Sequence, residues 1–334
     1  MLILGIESSC DDAAAAVWET HRAGVGSVRA SAVANQDDIH RAYGGIVPEL
    51  ASRNHVVTIQ PVVERTLRAA GCTLTDLDGI AVTRGPGLVG SLLVGLMYAK
   101  GIAQSSGLPL VGVNHLEGHL LAPMLEHEIT MPYLALVVSG GHTALFVVED
   151  FGRYRKLGAT RDDAAGEAFD KVAKLMGLGY PGGKIIDELA RAGSPKRVRI
   201  PRARVKGAAL DFSFSGVKTA VAQFLRSEAG AATNQEDLAA SFQEAVVDML
   251  VKPTMAAARA LDLEVIVLTG GVAANSRLRA RLAQAAEAEG RRCIAPSFKY
   301  CTDNAAMIAI AGSYRLLRGE RDALSLDAEA NLAL

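Results

Sequence analysis

The chain has 334 residues, half of them hydrophobic, and a formal net charge of −1. That length and apolar content allow two domains with real cores and exclude a disordered chain. The near-neutral balance excludes a surface that is basic throughout, so any polyanion contact must come from a local patch. Cys10, Cys72, Cys293 and Cys301 show neither CxxC spacing nor a disulfide framework, which reads as reduced thiols of a cytoplasmic protein. The N-terminal MLILGIESSC lacks the basic flank of a signal peptide. No apolar stretch reaches the roughly 18 residues of a membrane helix. The most apolar long window, 88–103, contains Lys100 and several glycines and reads as a buried helix.

In chain order, β-like runs Leu2–Ile6 and Ala13–Trp18 flank the polar turn Glu7-Ser8-Ser9-Cys10-Asp11-Asp12, and Ser27–Val33 gives a third. Gly79–Thr83 predicts a strand that ends at Gly85-Pro86-Gly87 and leads to a helix from Val89; Pro109–Val113 then leads to His115. The second half opens alike. Tyr133–Val138 and Ala144–Val148 flank Ser139-Gly140-Gly141-His142-Thr143, and Arg153–Ala159 follows. Val265–Thr269 precedes Gly270-Gly271 and a helix from Ala273, and Arg292–Ala295 leads to Asp303. Each half therefore runs hairpin, third strand, helices, strand–glycine–helix, strand, helix: a duplication of topology rather than of sequence.

Two α/β lobes of this kind leave a crevice at their strand ends, where ligands of open α/β sheets bind. A paired-glycine turn lets backbone N–H groups approach a phosphate with no Cβ in the way. A strand–Gly-Gly–helix junction aims a helix N-terminus at an anion. Glycine also serves tight turns for geometry alone, but its recurrence at equivalent places in both halves favours the ligand reading. The arrangement resembles the actin-like fold (ASKHA superfamily, ribonuclease H-like) of sugar kinases, acetate kinases and heat-shock chaperones. The resemblance implies two duplicated actin-like α/β lobes with a central cleft that holds a nucleotide. The first lobe is expected over 1–127 plus 304–334, and the second over 128–303 with a helical insertion and a basic loop at 191–206.

In Asn114-His115-Leu116-Glu117-Gly118-His119, helical continuation through Leu120, Leu121, Pro123 and Met124 puts two histidines at i and i+4 on one face, spaced to hold one metal ion. Two core or solvent-facing histidines could share that spacing. Asp303, after the second-lobe strand that corresponds to the one before His115, is expected to reach the cleft by pseudo-symmetry. Two imidazoles and a carboxylate leave coordination positions open, which suits a catalytic site accommodating iron or zinc. A metalloprotease would carry the glutamate directly after the first histidine; here Glu117 stands one position later, about 100° further round the helix, which disfavours that chemistry.

The stretch Lys100-Gly101, Leu108-Pro109, His115…Gly118-His119-Leu120 is similar to the signature of the tRNA N6-adenosine threonylcarbamoyltransferase family, once labelled glycoproteases. Five further segments match in order: 5–12 (GIESSCDD), 138–143 (VSGGHT), 164–171 (AAGEAFDK) with 180–183 (YPGG), 212–218 (FSFSGVK) and 269–275 (TGGVAAN). The resemblance implies metal ligands at His115, His119 and Asp303. It implies substrate contacts from Val138, Ser139, Gly140 and Gly141, and nucleotide contacts from Asp170, Gly183, Asp187 and Asn275. The archaeal and eukaryotic branch carries a tyrosine ligand in the second hairpin; its absence around Val138-Ser139-Gly140 points to the bacterial branch.

The reaction so implied is transfer of a threonylcarbamoyl group from its adenylate to the adenosine 3′ of the anticodon in tRNAs reading codons that begin with A, with AMP leaving. One divalent metal, iron or zinc, would orient the donor and stabilise charge at its carbonyl, with ATP, ADP or the AMP-containing donor in the cleft. Asp11 is a candidate for removing the amine proton or orienting the donor, though an aspartate there also stabilises a turn; Glu7 reads as structural. The resemblance further implies a metal-free paralogous subunit, a small ATPase subunit and a separate synthase that makes the donor. Between Arg191 and Lys206 stand seven cations and no acid; of these Arg197, Arg199, Arg202 and Arg204 are candidate tRNA phosphate contacts. The competing readings are an actin-like small-molecule kinase, a chaperone ATPase and a nucleotide-binding scaffold without chemistry. The kinase would need a general-base aspartate and magnesium at the phosphates but not the histidine pair, and intact metal ligands count against the scaffold.

Overall fold

A computed structural model describes residues 1–203, 205 and 207–334. The chain forms two compact units, Met1–Ile129 with Pro296–Leu334, and Thr130–Ala295. The first unit contains β1 (Leu2–Glu7), β2 (Ala13–Arg22), β3 (Val25–Ala34), α1 (Asp37–Arg41), α2 (Pro48–Ala70), β4 (Gly79–Gly85), α3 (Val89–Ser106), β5 (Leu110–Asn114) and α4 (His115–Leu121). The second contains β6 (Tyr133–Val138), β7 (Thr143–Asp150), β8 (Arg153–Ala159), α5 (Ala165–Leu175), α6 (Gly182–Ala190), α7 (Ser215–Leu225), α8 (Glu228–Ala231), α9 (Gln235–Ala260), β9 (Val265–Thr269), α10 (Ser276–Glu287) and β10 (Arg292–Ile294). The chain then returns to the first unit for α11 (Phe298–Cys301) and α12 (Ala305–Leu317).

Each unit is built on a five-stranded mixed sheet, ordered β3-β2-β1-β4-β5 in the first and β8-β7-β6-β9-β10 in the second. Hairpins β1–β2 and β6–β7 are antiparallel, whereas β1–β4–β5 and β6–β9–β10 run parallel. The duplicated order read from the sequence is thus the observed one. Strand alternation assembles the first core. Ala13, Ala15 and Val17 of β2 pack with Ile59, Val62 and Val63 of α2 and Leu96 and Ala99 of α3. Ala14 and Ala16 face the other way, onto Ala305 and Ala306 of α12.

Three expectations shift. The return to the first unit begins at Pro296, ahead of the position 304 read from the sequence. Ser297 donates its N–H and hydroxyl to Glu126 at 2.6 and 2.7 Å, which ties the stretch before Asp303 to the segment after α4. The helix of the most apolar window, α3, is not buried all round: Val89, Leu93 and Met97 are exposed, and Val56 and Val57 of α2 are exposed too. Finally, α4 stops at Leu121, and Pro123 sits in a 3-10 turn, Ala122–Leu125. No helix among the described residues is long and apolar enough to cross a membrane.

Candidate metal centre and nucleotide-binding turns

The first unit brings His115, His119 and Asp303 together. Asn114 ends β5 and caps α4, its Oδ1 accepting from Leu116 N–H at 2.9 Å. The helix therefore starts at His115, and both histidines are buried. Asp303 directly precedes Asn304, which caps α12 by accepting from Met307 N–H at 3.0 Å. The two helices meet closely because residue 118 is glycine. A Cβ there would lie 2.9 Å from Ile308 Cδ1 and 3.0 Å from Met307 Cγ of α12. Glu117 accepts the Tyr314 hydroxyl of α12 at 2.8 Å, a packing role in keeping with the H-L-E-G-H order.

The donors fit a divalent ion. His119 Nε2 lies 3.1 Å and His115 Nε2 3.5 Å from Asp303 Oδ1, and the three ligand atoms all lie within 4.8 Å of one another. Two ligands bound at about 2.0–2.1 Å and tetrahedrally disposed are roughly 3.3–3.4 Å apart, so the observed separations bracket that spacing. The rings stand edge to face, 4.7 Å between centroids and 87° apart. All three residues belong to one unit, whereas pseudo-symmetry between two lobes had been the expected route for Asp303.

Burial alone would lower the His115 pKa, but the Asp303 and Glu7 carboxylates outweigh burial and raise it to about 9. Glu7 responds in the opposite sense. Its burial would raise the carboxyl, yet the charge and hydrogen bond of His115 hold it below the ordinary range. Sequence reasoning left Glu7 as structural. A carboxylate closing an otherwise apolar strand was the available signal, because such a group, once buried, needs partners.

The β1–β2 turn carries Asp11 and Asp12. Burial raises the Asp11 carboxyl above its usual range. Burial, then the neighbouring Asp11 and Asp303 carboxylates, push Asp12 to about 8; Asn35 Nδ2 donates to Asp12 Oδ1 at 2.8 Å.

In the second unit, Val138 ends β6 and Ser139 closes the turn. Ser139 N–H donates to His142 O at 2.7 Å, and His142 N–H to Ser139 Oγ at 3.1 Å. A Cβ at Gly140 or Gly141 would meet nothing within 4 Å, and neither has a left-handed φ. Neither packing nor backbone conformation therefore requires glycine at these two positions. Gly270 is the contrast: its φ is +93°, and a Cβ there would lie 2.4 Å from Val138 O. Asp170 of α5 accepts from Gly182 N–H at the start of α6 at 2.8 Å, next to Gly183.

One expectation is corrected here. The segment after Gly270-Gly271 is a 3-10 turn, Gly271–Ala274, and the helix begins at Ser276 rather than Ala273. Its N-terminus already holds an anion from the chain itself. Asp187 accepts the Ser276 hydroxyl at 2.8 Å and the Ser276 N–H at 3.2 Å, and Asn275 Oδ1 accepts Leu278 N–H at 2.9 Å. Asn275 Nδ2 donates to Gln243 Oε1 at 2.7 Å, so Gln243 is a further residue of this corner that the sequence reading missed.

The basic stretch divides. Arg197 and Arg199 are exposed and form no ion pair with the described residues, whereas Arg202 pairs with Asp248 at 3.1 Å. Arg204 lies outside the described residues.

Two matching α/β units, the first with two buried histidines beside a half-buried aspartate, define an actin-like fold with a candidate divalent-metal centre. Solved structures agree on the fold. Full-length HypF, in its phosphate- and nucleotide-bound form, superposes with a TM-score of 0.62 at 14% identity, covering 96% of this chain and 47% of that one. The activator of 2-hydroxyisocaproyl-CoA dehydratase from Clostridium difficile does so with a TM-score of 0.54 at 16% identity, covering 97% and 99%. The model of the tRNA N6-adenosine threonylcarbamoyltransferase family matches residues 27–310. Proteins of that name from Anaeromyxobacter dehalogenans and Syntrophotalea carbinolica are 57% and 52% identical, over 98% and 100% of this chain and 98% and 97% of their own lengths. The chain belongs to the tRNA N6-adenosine threonylcarbamoyltransferase family.

Proposed function

We propose that this chain transfers the threonylcarbamoyl group from threonylcarbamoyl-adenylate to N6 of the adenosine 3′ of the anticodon in tRNAs reading codons that begin with A. The bond from the carbamoyl carbon to N6 forms, the bond from that carbon to the AMP oxygen breaks, and N6 gives up a proton. The observation that carries this reading is a convergent His115–His119–Asp303 donor set in a chain that is similar to a relative of that name over 98% of its length. A divalent ion held by these three, iron or zinc, would supply Lewis-acid polarisation of the donor's oxygens.

The chain's own residues supply the rest. The Ser139-Gly140-Gly141 turn offers unobstructed backbone to the donor's phosphate, and Asp170, Gly183, Asp187 and Asn275 take its nucleoside part. Asp11, whose raised carboxyl is a better proton acceptor than an exposed aspartate, takes the amine proton or orients the donor. Arg197 and Arg199 hold tRNA phosphates. A metal-free paralogue and a small ATPase complete the cytoplasmic assembly.

The test is transfer of labelled threonylcarbamoyl from purified adenylate to tRNA by the assembled enzyme. Label is expected on tRNA and absent when guanosine replaces the target adenosine. ATP-dependent phosphorylation of a small molecule with no label on tRNA would favour the kinase reading and refute this one.

A further inference from the structure

Glu7 is the last residue of β1, fully buried, and its carboxylate has three partners in the first unit. Oε1 accepts the Ser9 N–H, and Oε2 accepts the Thr83 hydroxyl at 2.6 Å. Oε2 also lies 3.0 Å from Nδ1 of His115, the ring nitrogen opposite the one that faces Asp303. Ser9 Oγ stands 3.1 Å from the same Nδ1. The carboxylate thus sits behind the histidine, anchored on one side by a backbone amide and on the other by a β4 hydroxyl.

An imidazole ligates a metal through a nitrogen without a proton, and the hydrogen bond made by its other nitrogen decides which one that is. A carboxylate only accepts, so Glu7 requires the proton on Nδ1. In the neutral ring that a metal requires, this leaves the Nε2 lone pair on the Asp303 side. From this geometry we infer that Glu7 is a positioning residue for the metal centre: it fixes the tautomer and ring orientation of His115, with Thr83 and the Ser9 amide fixing Glu7 in turn. The inference rests on the metal reading above. It explains why a strand otherwise made of apolar residues and glycine ends in a buried acid.

Glu7→Gln keeps the size but breaks the logic. An amide has one accepting atom, while the three partners all offer protons. Either Ser9 N–H or His115 then faces an NH₂ group. If His115 does, its proton is driven to Nε2 and the ligand is lost.

The experiment is Zn²⁺ affinity of the full chain by competition with a chromophoric chelator. It is run alongside the thermal midpoint of the metal-free protein, for wild type, Glu7→Gln and Thr83→Val. Loss of a histidine's outer partner weakens metal binding roughly 10–100-fold. That loss is expected for Glu7→Gln, with a smaller one of about threefold for Thr83→Val, which removes only the support of Oε2. In the Zn²⁺-loaded wild type, a His115 Nδ1–H proton should be visible by NMR in slow exchange with water.

A merely structural glutamate would lower the midpoint and leave the affinity of the folded protein unchanged, and that result overturns the inference alone. Should Glu7→Gln not fold, unchanged affinity in Thr83→Val, or a His115 proton found on Nε2, overturns it equally. Wild-type protein that takes up no Zn²⁺ would overturn the metal reading and this inference together.

Discussion

Asp12→Asn tests the electrostatics of the β1–β2 turn. In the folded metal-free chain the Asp12 carboxyl titrates at about 8, against 3.8 for an ordinary aspartate. The unfolded chain therefore releases this proton near pH 4, while the folded chain holds it to about pH 8. Stability falls as pH rises through that window and is level outside it, with a slope of at most about 1.4 kcal/mol per pH unit. The full shift would correspond to roughly 5–6 kcal/mol. Solvent reaches part of the side chain, so about 2 kcal/mol is the expected cost. Asparagine removes the charge and can still accept from Asn35 through Oδ1. For a unit of this size the gain should appear as about 4–8 °C in thermal midpoint above pH 8 and vanish near pH 4. Trp18, the chain's one tryptophan, is buried in β2 and reports unfolding of the first unit alone. Thermal melts by its fluorescence, in chelator from pH 4 to 8.5, are the assay. The same separation between variant and wild type at every pH, or a less stable variant at pH 8, would refute the reasoning.

Further outcomes are expected. His115→Ala, His119→Ala and Asp303→Ala should each weaken Zn²⁺ binding by about 100-fold or more and abolish tRNA modification, read by metal analysis and by label transfer. Gly140→Val should leave the thermal midpoint unchanged, because its Cβ meets no protein atom within 4 Å. Calorimetric titration should show at least about tenfold weaker binding of the adenylate donor, since a branched side chain occupies the approach to the backbone. Arg197→Ser with Arg199→Ser should flatten the slope of log tRNA affinity against log salt by up to about 1 per lost contact. Arg202→Ser should change stability more than salt slope, because Arg202 is already paired with Asp248.

The duplicated topology was legible because hairpin, glycine and strand signals recur in the same order in both halves, and the sheets keep that order. The i, i+4 spacing placed the two histidines on one face of a helix, and α4 carries both, but spacing alone left a pair of core histidines open. Three things were not legible. Glu7 gave no periodic signal, since its role comes from what β4 and β5 bring behind it. The helix after Gly270 was placed three residues early. The capping preference of Asn275 and the reach of Asp187, 89 residues away in sequence from Ser276, decide where that helix begins. The reading of Asp303 as a second-lobe residue followed the strand pattern. It missed that Ser297 and Glu126 draw the chain back to the first unit before residue 303.

The donor set has a chronology as well as a geometry. His119 and Asp303 stand 184 residues apart in sequence, with the whole second unit made between them. At about 5–20 residues per second on the ribosome, the carboxylate emerges roughly 10–40 s after the histidines. Until then α12, which covers one face of the first sheet, is missing as well. The nascent chain therefore carries two histidines but not the complete three-donor pocket until residue 303 has been made.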